Sequence, residues 1–587
     1  GAPRSSSDIR VGRAIASFCV VGQGDDGGTT TVVIPSAYKV TITGGSGSEL
    51  KQVASTGTAT SSATWSTGQL GAPYAFWACL SGTNDAGYTT FTTTSPAGRE
   101  IDLEAWPEDP TWKTEVQGEL KTILPKLEAI VGRELPGRGP IVLREVAGSE
   151  LGNYAGFYNP ETGVVVLGED LGQGGVVAHE LSHAWFNGQY FFSTWMSEGM
   201  AEWARISTIP DTCPTPGSYP GDGAPNLSNW QFAGPRATTT DIAVVHYQYE
   251  AACYVVNSLA AKAGPDNWRL VLKALLNNER AYRAPGLVLT GPNIQASWRE
   301  WLDAVDELGL VPAGVTDLDY AQNLLAQYGI ATDAATLGNR SRARAHYHKL
   351  VAELGDWTMP QAVLLPMSTW GFGVAESAMS QVEAILASVA AADAALPGLD
   401  AANGPVRAQF EKARSVDDLK AAAALAADQA AAAKAVAAAA ARVAAPRDTV
   451  TQIGLAGTDL DGPMAAATVA AKAGDVKAAQ ADVDQVNALL DGASQQGTLR
   501  IALAGGVALA VLLLLAFVVV RLRRQRQRRL GLAMSTAMPP TDGASVDVAT
   551  GEPAATQWTP AEPPAPEPPT PGPPPDSPPE VPPGTGP

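Results

Sequence analysis

The chain has 587 residues, 45% of them hydrophobic; that length calls for more than one folding unit, and that composition excludes both full disorder and a polytopic membrane protein. Lys and Arg number 40 against 59 Asp and Glu, so the net charge of -19 has the wrong sign for attraction to phosphates, and no nucleic acid partner is expected. The acidity is localised: residues 521–587 carry six Arg and seven acids, a net -1, which leaves -18 for the rest of the chain.

Residues 1–97 are rich in Thr, Ser, Gly and Val, with the β-prone runs TTTVVIP and YKVTI separated by GGSGS and SGTNDAG, a pattern that predicts a small antiparallel β domain. The texture changes in residues 98–356. VQGELKTILPKLEAIV places its apolar positions at helical spacing, the strand-like runs IVLREV and GVVVLG come after it, and helical patterning dominates beyond Thr239; an α+β lobe followed by a helical lobe is expected. Residues 357–497 read as a linker and an Ala-rich helical stalk, since 18 of the 25 residues 421–445 are Ala, which favours helix but offers little bulk for a core.

Residues 501–520 contain no charged or strongly polar side chain, and as a helix they span about 30 Å, the thickness of a hydrocarbon core. A transmembrane helix over 498–520 is therefore expected. Six Arg succeed it in RLRRQRQRR, whereas only Arg500 flanks the other end; a buried soluble helix needs no such stop, and the bias predicts a single-pass protein of the cell membrane with its C-terminus in the cytoplasm. The Arg cluster would also meet anionic lipid headgroups. Residues 521–587 end in a stretch with 16 Pro among residues 553–587, expected to be disordered with polyproline II character; its PAPEPP run would suit a proline-motif partner or act as a plain spacer.

This orientation places the first 500 residues outside the cytoplasm and demands an export signal, so the opening GAPRSSSDIR, with no initiator Met and no apolar run, is read as the start of a processed form. Cys19, Cys79, Cys213 and Cys253 all lie on the exported side, where disulfides persist. Four cysteines allow three connectivities. Cys19–Cys79 and Cys213–Cys253 are expected because each closes a loop inside one domain, with free buried thiols as the alternative.

Two of the five His fall in one pentapeptide, HELSH at 179–183. On a helix, positions i and i+4 share a face, so both imidazoles can reach one metal ion with Glu180 beside it. Three protein ligands and an open fourth position make a hydrolytic zinc site, and one Zn2+ per chain is expected. A metzincin would continue HExxHxxGxxH, but Phe186 and Gln189 stand at the Gly and last His positions, which excludes that subclass.

Downstream lies TWMSEGMAEW, with Glu198 and Glu202 four residues apart. HELSH together with this segment resembles the gluzincin zinc metallopeptidases, in particular the aminopeptidase N-like and peptidase-MA-like families, whose second helix carries a WLxEGxA pattern. The resemblance implies a thermolysin-like α+β catalytic domain, His179, His183 and Glu198 as zinc ligands, and Glu180 as catalytic base. The connection of 14 residues between His183 and Glu198 is shorter than in aminopeptidase N relatives, yet long enough to turn between two helices. Glu202 would accept a hydrogen bond from the distal nitrogen of a zinc-bound His and fix its tautomer, or else be a solvated helix charge. The HYQYEAA run resembles the families' Y-E-K-G segment, which makes Tyr249 the first choice for stabilising an oxyanion, with His246 and Tyr247 as alternative donors; a packed core Tyr is the plainer reading.

Those families also carry an acidic G-A-M-E-N segment that holds the substrate's free amine, and the comparable stretch here, NYAGFYN at 153–159, has no acid. An endopeptidase acting on peptide or protein is therefore expected, with extended chains pairing to an edge strand. The competing expectation is a catalytically silent gluzincin-fold surface protein used for binding or sensing, against which an intact Glu180 argues.

Overall fold

A computed structural model describes residues 10–43, 49–53, 62–137, 139–151, 154–171, 175–232, 237–279, 281–282, 295–331 and 333–531. The expected disordered tail at 553–587, its PAPEPP run and Asn153 lie outside the described residues.

Seven strands build the N-terminal region: β1 (Arg10–Val11), β2 (Ile15–Gly24), β3 (Thr31–Pro35), β4 (Lys39–Thr43), β5 (Lys51–Val53), β6 (Ser62–Ser66) and β7 (Tyr74–Thr83). They form a four-stranded sheet in the order β1-β2-β7-β4 and a three-stranded sheet in the order β3-β6-β5. Period-two alternation sends Val32, Ile34, Trp65, Phe76 and Leu80 into a common core, as a half-buried strand requires. The antiparallel register of β2 on β7 sets Cys19 directly opposite Cys79, and the two are disulfide-bonded.

The next strand corrects one expectation. β8 (Thr89–Thr94) falls inside the segment 1–97, yet it pairs along its length with β9 (Glu100–Ala105), from Thr89↔Ala105 to Thr94↔Glu100. The SPAGR turn between them explains this, because Ser95 Oγ accepts hydrogen bonds from Ala97 and Arg99 N–H and closes a local hairpin. With β10 (Ile141–Val146), β11 (Gly156–Asn159) and β12 (Val164–Gly168), these strands form a five-stranded sheet in the order β11-β12-β10-β9-β8. The central strands β9, β10 and β12 are parallel, and β11 lies antiparallel to β12 at one edge.

Helix α1 (Pro110–Val131) comes after β9; Asp109 caps it by accepting from Thr111 and Trp112 N–H, Pro110 occupies the first turn, and Gly132 ends it at φ 71°, a left-handed conformation that costs glycine little. Its stripe of Trp112, Val116, Leu120, Ile123, Leu127 and Val131 is buried in one continuous core with β9, β10, β12 and the helices that carry the site. Those helices come after the short α2 (Gly148–Leu151): α3 (Val176–Ser182), α4 (Thr194–Thr208), α5 (Thr239–Ala263), α6 (Pro265–Leu276), α7 (Trp298–Ala304), a π-helical turn at Val305–Leu310, and α8 (Tyr320–Gln327).

A second core is built from α9 (Ala334–Leu354), α10 (Gln361–Ser368), α11 (Phe372–Ala395), α12 (Pro405–Glu411), α13 (Val416–Ala444), α14 (Thr449–Leu455), α15 (Asp461–Lys472) and the start of α16 (Val476–Gly531). Helix α9 places Ala343, Leu350 and Leu354 in this core, so it begins ahead of residue 357. The Ala-rich α13 buries Leu419, Ala422, Ala426, Ala433 and Val436; side chains this small let neighbouring helices approach closely. Between the two cores lies an ionic cluster, with fully buried Arg340 on α9 donating to Asp303 at 2.6 Å and Asp306 at 2.8 Å.

Residues 501–520 run as part of α16 with every side chain exposed. Among the described residues α16 is the one helix long and apolar enough to cross a membrane.

Candidate metal centre

Helix α3 enters from Gly175, whose φ of 99° only glycine adopts readily, and it ends at Ser182. His183 is therefore the cap residue and not an interior helical residue, but its φ of -62° and ψ of -12° are still right-handed helical, so the i, i+4 geometry of the two imidazoles survives. Helix α4 packs against α3 and presents Glu198 to them. His179 Nε2 lies 3.2 Å from Glu198 Oε2, His183 Nε2 lies 3.5 Å from the same oxygen, and the two Nε2 atoms are 3.2 Å apart.

This triangle can be tested against zinc. With metal–ligand distances of about 2.0–2.1 Å, the edges of a coordination tetrahedron are about 3.3 Å, and all three sides fall close to that. The protons make the same point. His183 Nδ1 lies 2.7 Å from the Phe186 carbonyl oxygen, which only an N–H can satisfy, so in the neutral ring it is Nε2 that carries the lone pair. His179 Nδ1 lies 2.8 Å from Glu202 Oε1, close enough for an ion contact although the oxygen is off the N–H axis. Two imidazole nitrogens and a carboxylate oxygen at such distances need a cation, proton or metal ion, among them. The residues present fit a zinc ion.

Burial shapes the charges. It disfavours the charged form of His179, but hydrogen bonding and charge from Glu198 and Glu202 outweigh it and hold the His179 pKa well above 6.5. His183 is raised in the same way, against burial, chiefly by Glu198. Burial would raise the Glu198 carboxyl, yet His183 and His179 hold it well below the usual carboxylate range. Glu180 differs: burial raises its pKa and the two His only partly oppose that. Glu180 also comes within 4.8 Å of both imidazoles, but the shorter distances belong to Glu198, so Glu198 forms the third vertex and Glu180 stands beside it.

The remaining expected residues separate cleanly. Tyr249 on α5 lines the same cleft, its ring 6.2 Å from that of His179 and stacked edge-on against Trp230 at 5.1 Å. Burial, then the charges of Glu198 and Glu180, raise its pKa, which keeps the hydroxyl protonated as a donor. His246 lines the cleft too, exposed. Tyr247 does not; it is buried with its ring 5.1 Å from Tyr219. The disulfide Cys213–Cys253 ties the chain after α4 to α5 one turn beyond Tyr249.

Three contributors were missed by sequence reasoning. Arg205 donates to Glu202 at 2.9 Å and to Asp211 at 2.6 Å, anchoring the acid that touches His179; its i+3 spacing from Glu202 was a visible signal. Gly156 on β11 faces Glu180, since a Cβ there would lie 2.9 Å from Glu180 Cγ and 2.8 Å from the Val166 carbonyl oxygen. Trp230 gave no local signal at all. The cleft that Arg205 and Gly156 line, with Trp230 packed behind Tyr249, has a volume of about 740 Å³, within the usual range for ligand sites.

No family model matches the chain, and no curated protein matches it. Solved structures similar to it include an M1 zinc metallopeptidase from Deinococcus radiodurans, at 15% identity and a TM-score of 0.30, the match covering 51% of this chain and 63% of that one. A two-domain M1 zinc metallopeptidase mutant bound to L-arginine is similar at 15% identity and a TM-score of 0.29, with the same coverage. The chain thus spans less than two thirds of the length of these metallopeptidases.

Proposed function

We propose that this chain is a membrane-anchored zinc metallopeptidase that hydrolyses internal peptide bonds on the outer side of the membrane. The observation that supports it most is the triangle of His179 Nε2, His183 Nε2 and Glu198 Oε2 with Glu180 beside it, at the floor of an open cleft. Zinc held there would lower the pKa of water and polarise a substrate carbonyl. A Glu180 carboxylate oxygen takes the proton of the attacking water and passes it to the amide nitrogen as the C–N bond breaks, leaving a carboxylate and an amine. Glu202, held by Arg205, keeps His179 oriented. The Tyr249 hydroxyl donates to the oxyanion that develops on the carbonyl oxygen. The apolar run in α16 and the Arg-rich stretch after it support the anchoring and its orientation.

The acids that line the cleft among the described residues are Glu180, Glu198 and Glu202; Glu198 and Glu202 contact the imidazoles and Glu180 is the proposed base. None remains to bind a free α-ammonium group, which favours cleavage within a chain over removal of its first residue. Internally quenched peptides with acetylated N-termini test this: the full chain should cleave them, and release of single N-terminal residues from unblocked peptides alone would contradict it.

Two substitutions probe the machinery. Tyr249→Phe should lower kcat by roughly 10²- to 10³-fold, the usual effect of losing one oxyanion donor, with zinc content unchanged on metal analysis. Gly156→Ala should lower kcat by about 10- to 100-fold, because its methyl group meets Glu180 Cγ at 2.9 Å and the Val166 carbonyl oxygen at 2.8 Å, so both the carboxylate and the β11–β12 pairing must shift and proton transfer depends steeply on such placement; a lowered thermal midpoint should accompany the loss.

A further inference from the structure

Within the part of the chain that builds the cleft, exposed apolar side chains gather at it. Between residues 101 and 331, the large apolar side chains exposed among the described residues are Tyr154, Phe157, Phe192, Phe232, Ile242 and Leu270, and all but Leu270 line the metal cleft. Phe192 is 74% and Phe232 62% exposed. Scattered exposed apolar residues need no explanation, but a set gathered at one concavity marks a binding surface. These residues come from separate segments: Phe157 from β11, Phe192 from the turn before α4, and Phe232 and Ile242 from the approach to and first turn of α5. Their shared position is a property of the tertiary fold.

The nature of the ligand emerges from two further features. Among the described residues strand β11 ends its sheet and pairs only with β12, so one row of its backbone N–H and C=O groups faces away from any described ladder partner, and an extended polypeptide matches that spacing. Most charged side chains of the lining are already partnered: Glu198 and Glu202 contact the imidazoles, and Arg205 pairs with Glu202 and Asp211, while Glu180 lies within 4.8 Å of both imidazoles. Apart from His246 and the Tyr154 hydroxyl, the exposed side chains of the lining are apolar.

We infer that the cleft selects extended polypeptide segments bearing large apolar side chains, which Phe157, Phe192, Phe232 and Ile242 receive while β11 pairs with the backbone. The inference rests on the peptidase reading for the bond that is cut, but recognition is separable from cleavage. Phe192 and Phe232 contact solvent over most of their surface, so their truncation spares the fold.

The test uses the full chain in detergent, loaded with zinc and carrying Glu180→Gln so that bound peptide is not consumed. Two fluorescent peptides of equal length and charge, acetylated and amidated, differ only in a central run of Phe and Leu or of Ala and Ser; protein-free micelles correct for peptide held by detergent. The Phe/Leu peptide should bind at least about 10-fold tighter, and Phe192→Ala or Phe232→Ala should each weaken it by roughly 5- to 20-fold while leaving the Ala/Ser peptide unmoved. Equal affinity for the two peptides, or variants that leave their ratio unchanged, would overturn the inference. If the chain with Glu180 intact cleaves neither peptide while the affinity ratio holds, the peptidase reading fails and the apolar selectivity stands. If it cleaves both equally and the ratio is one, the reverse is true.

Discussion

Glu180→Gln should reduce peptide turnover by roughly 10²- to 10⁴-fold, the range for removal of a general base, while the protein keeps its zinc. The reasoning starts from geometry. Glu198 closes the triangle with the imidazoles at 3.2 and 3.5 Å, so an amide at position 180 removes no ligand. It does remove the group that can hold the water's proton: burial sets the Glu180 pKa above its ordinary value, which makes its carboxylate a better proton acceptor than an exposed one. The amide is isosteric and fits against Gly156 as the carboxylate does. Metal analysis and steady-state kinetics on the same preparation read both halves of the expectation, and turnover at the parent rate would remove Glu180 from the proposed mechanism.

Arg340→Met should destabilise the folded chain by about 3–5 kcal/mol, the cost of leaving buried charges without their partner. Arg340 is fully buried, donates to Asp303, Asp306 and Gln322, and stands beside Arg344, which donates to Glu307 at 2.9 Å. Trp370 adds a hydrogen bond to Asp303 at 2.9 Å. Removing the guanidinium leaves Asp303 with the Trp370 N–H alone and Asp306 with Arg344 at 3.2 Å, both acids nearly inaccessible to water. The exposed pair Arg442–Asp491 is a built-in control, since breaking a surface pair costs about 1 kcal/mol or less. Urea unfolding of the two variants side by side should show the difference, and equal midpoints would mean that the cluster contributes nothing to stability.

Much of the candidate metal centre is legible in the sequence because its residues sit close together in the chain. HELSH and TWMSEGMAEW are two helical stretches whose ligand spacing is set by helix geometry alone, and the four cysteines form the two bridges that keep each loop within its own region. The buried Arg cluster was not legible. RSRARAHYHK reads as a solvated helix face, and only the fold brings it against acids at 303–307, more than thirty residues earlier. Likewise β8 reads as one more Thr-rich strand of the first domain, and its partner is decided by the hairpin turn at its end. Tyr249 and Tyr247 are two residues apart on one helix; which of them faces the cleft depends on the rotation of α5, set by its packing on α4 and not by any local pattern. Gly156 is the clearest case, because its importance lies in an atom it lacks.

The zinc peptidase reading is tested most directly by measuring metal and cleavage together on the full chain in detergent. Metal analysis should find one zinc per chain, a diverse library of internally quenched peptides should be cut, and a chelator should abolish cutting until zinc is returned. Stoichiometric zinc with no member of the library cleaved would contradict the enzymatic claim, and a chain that binds no zinc would contradict the metal centre itself.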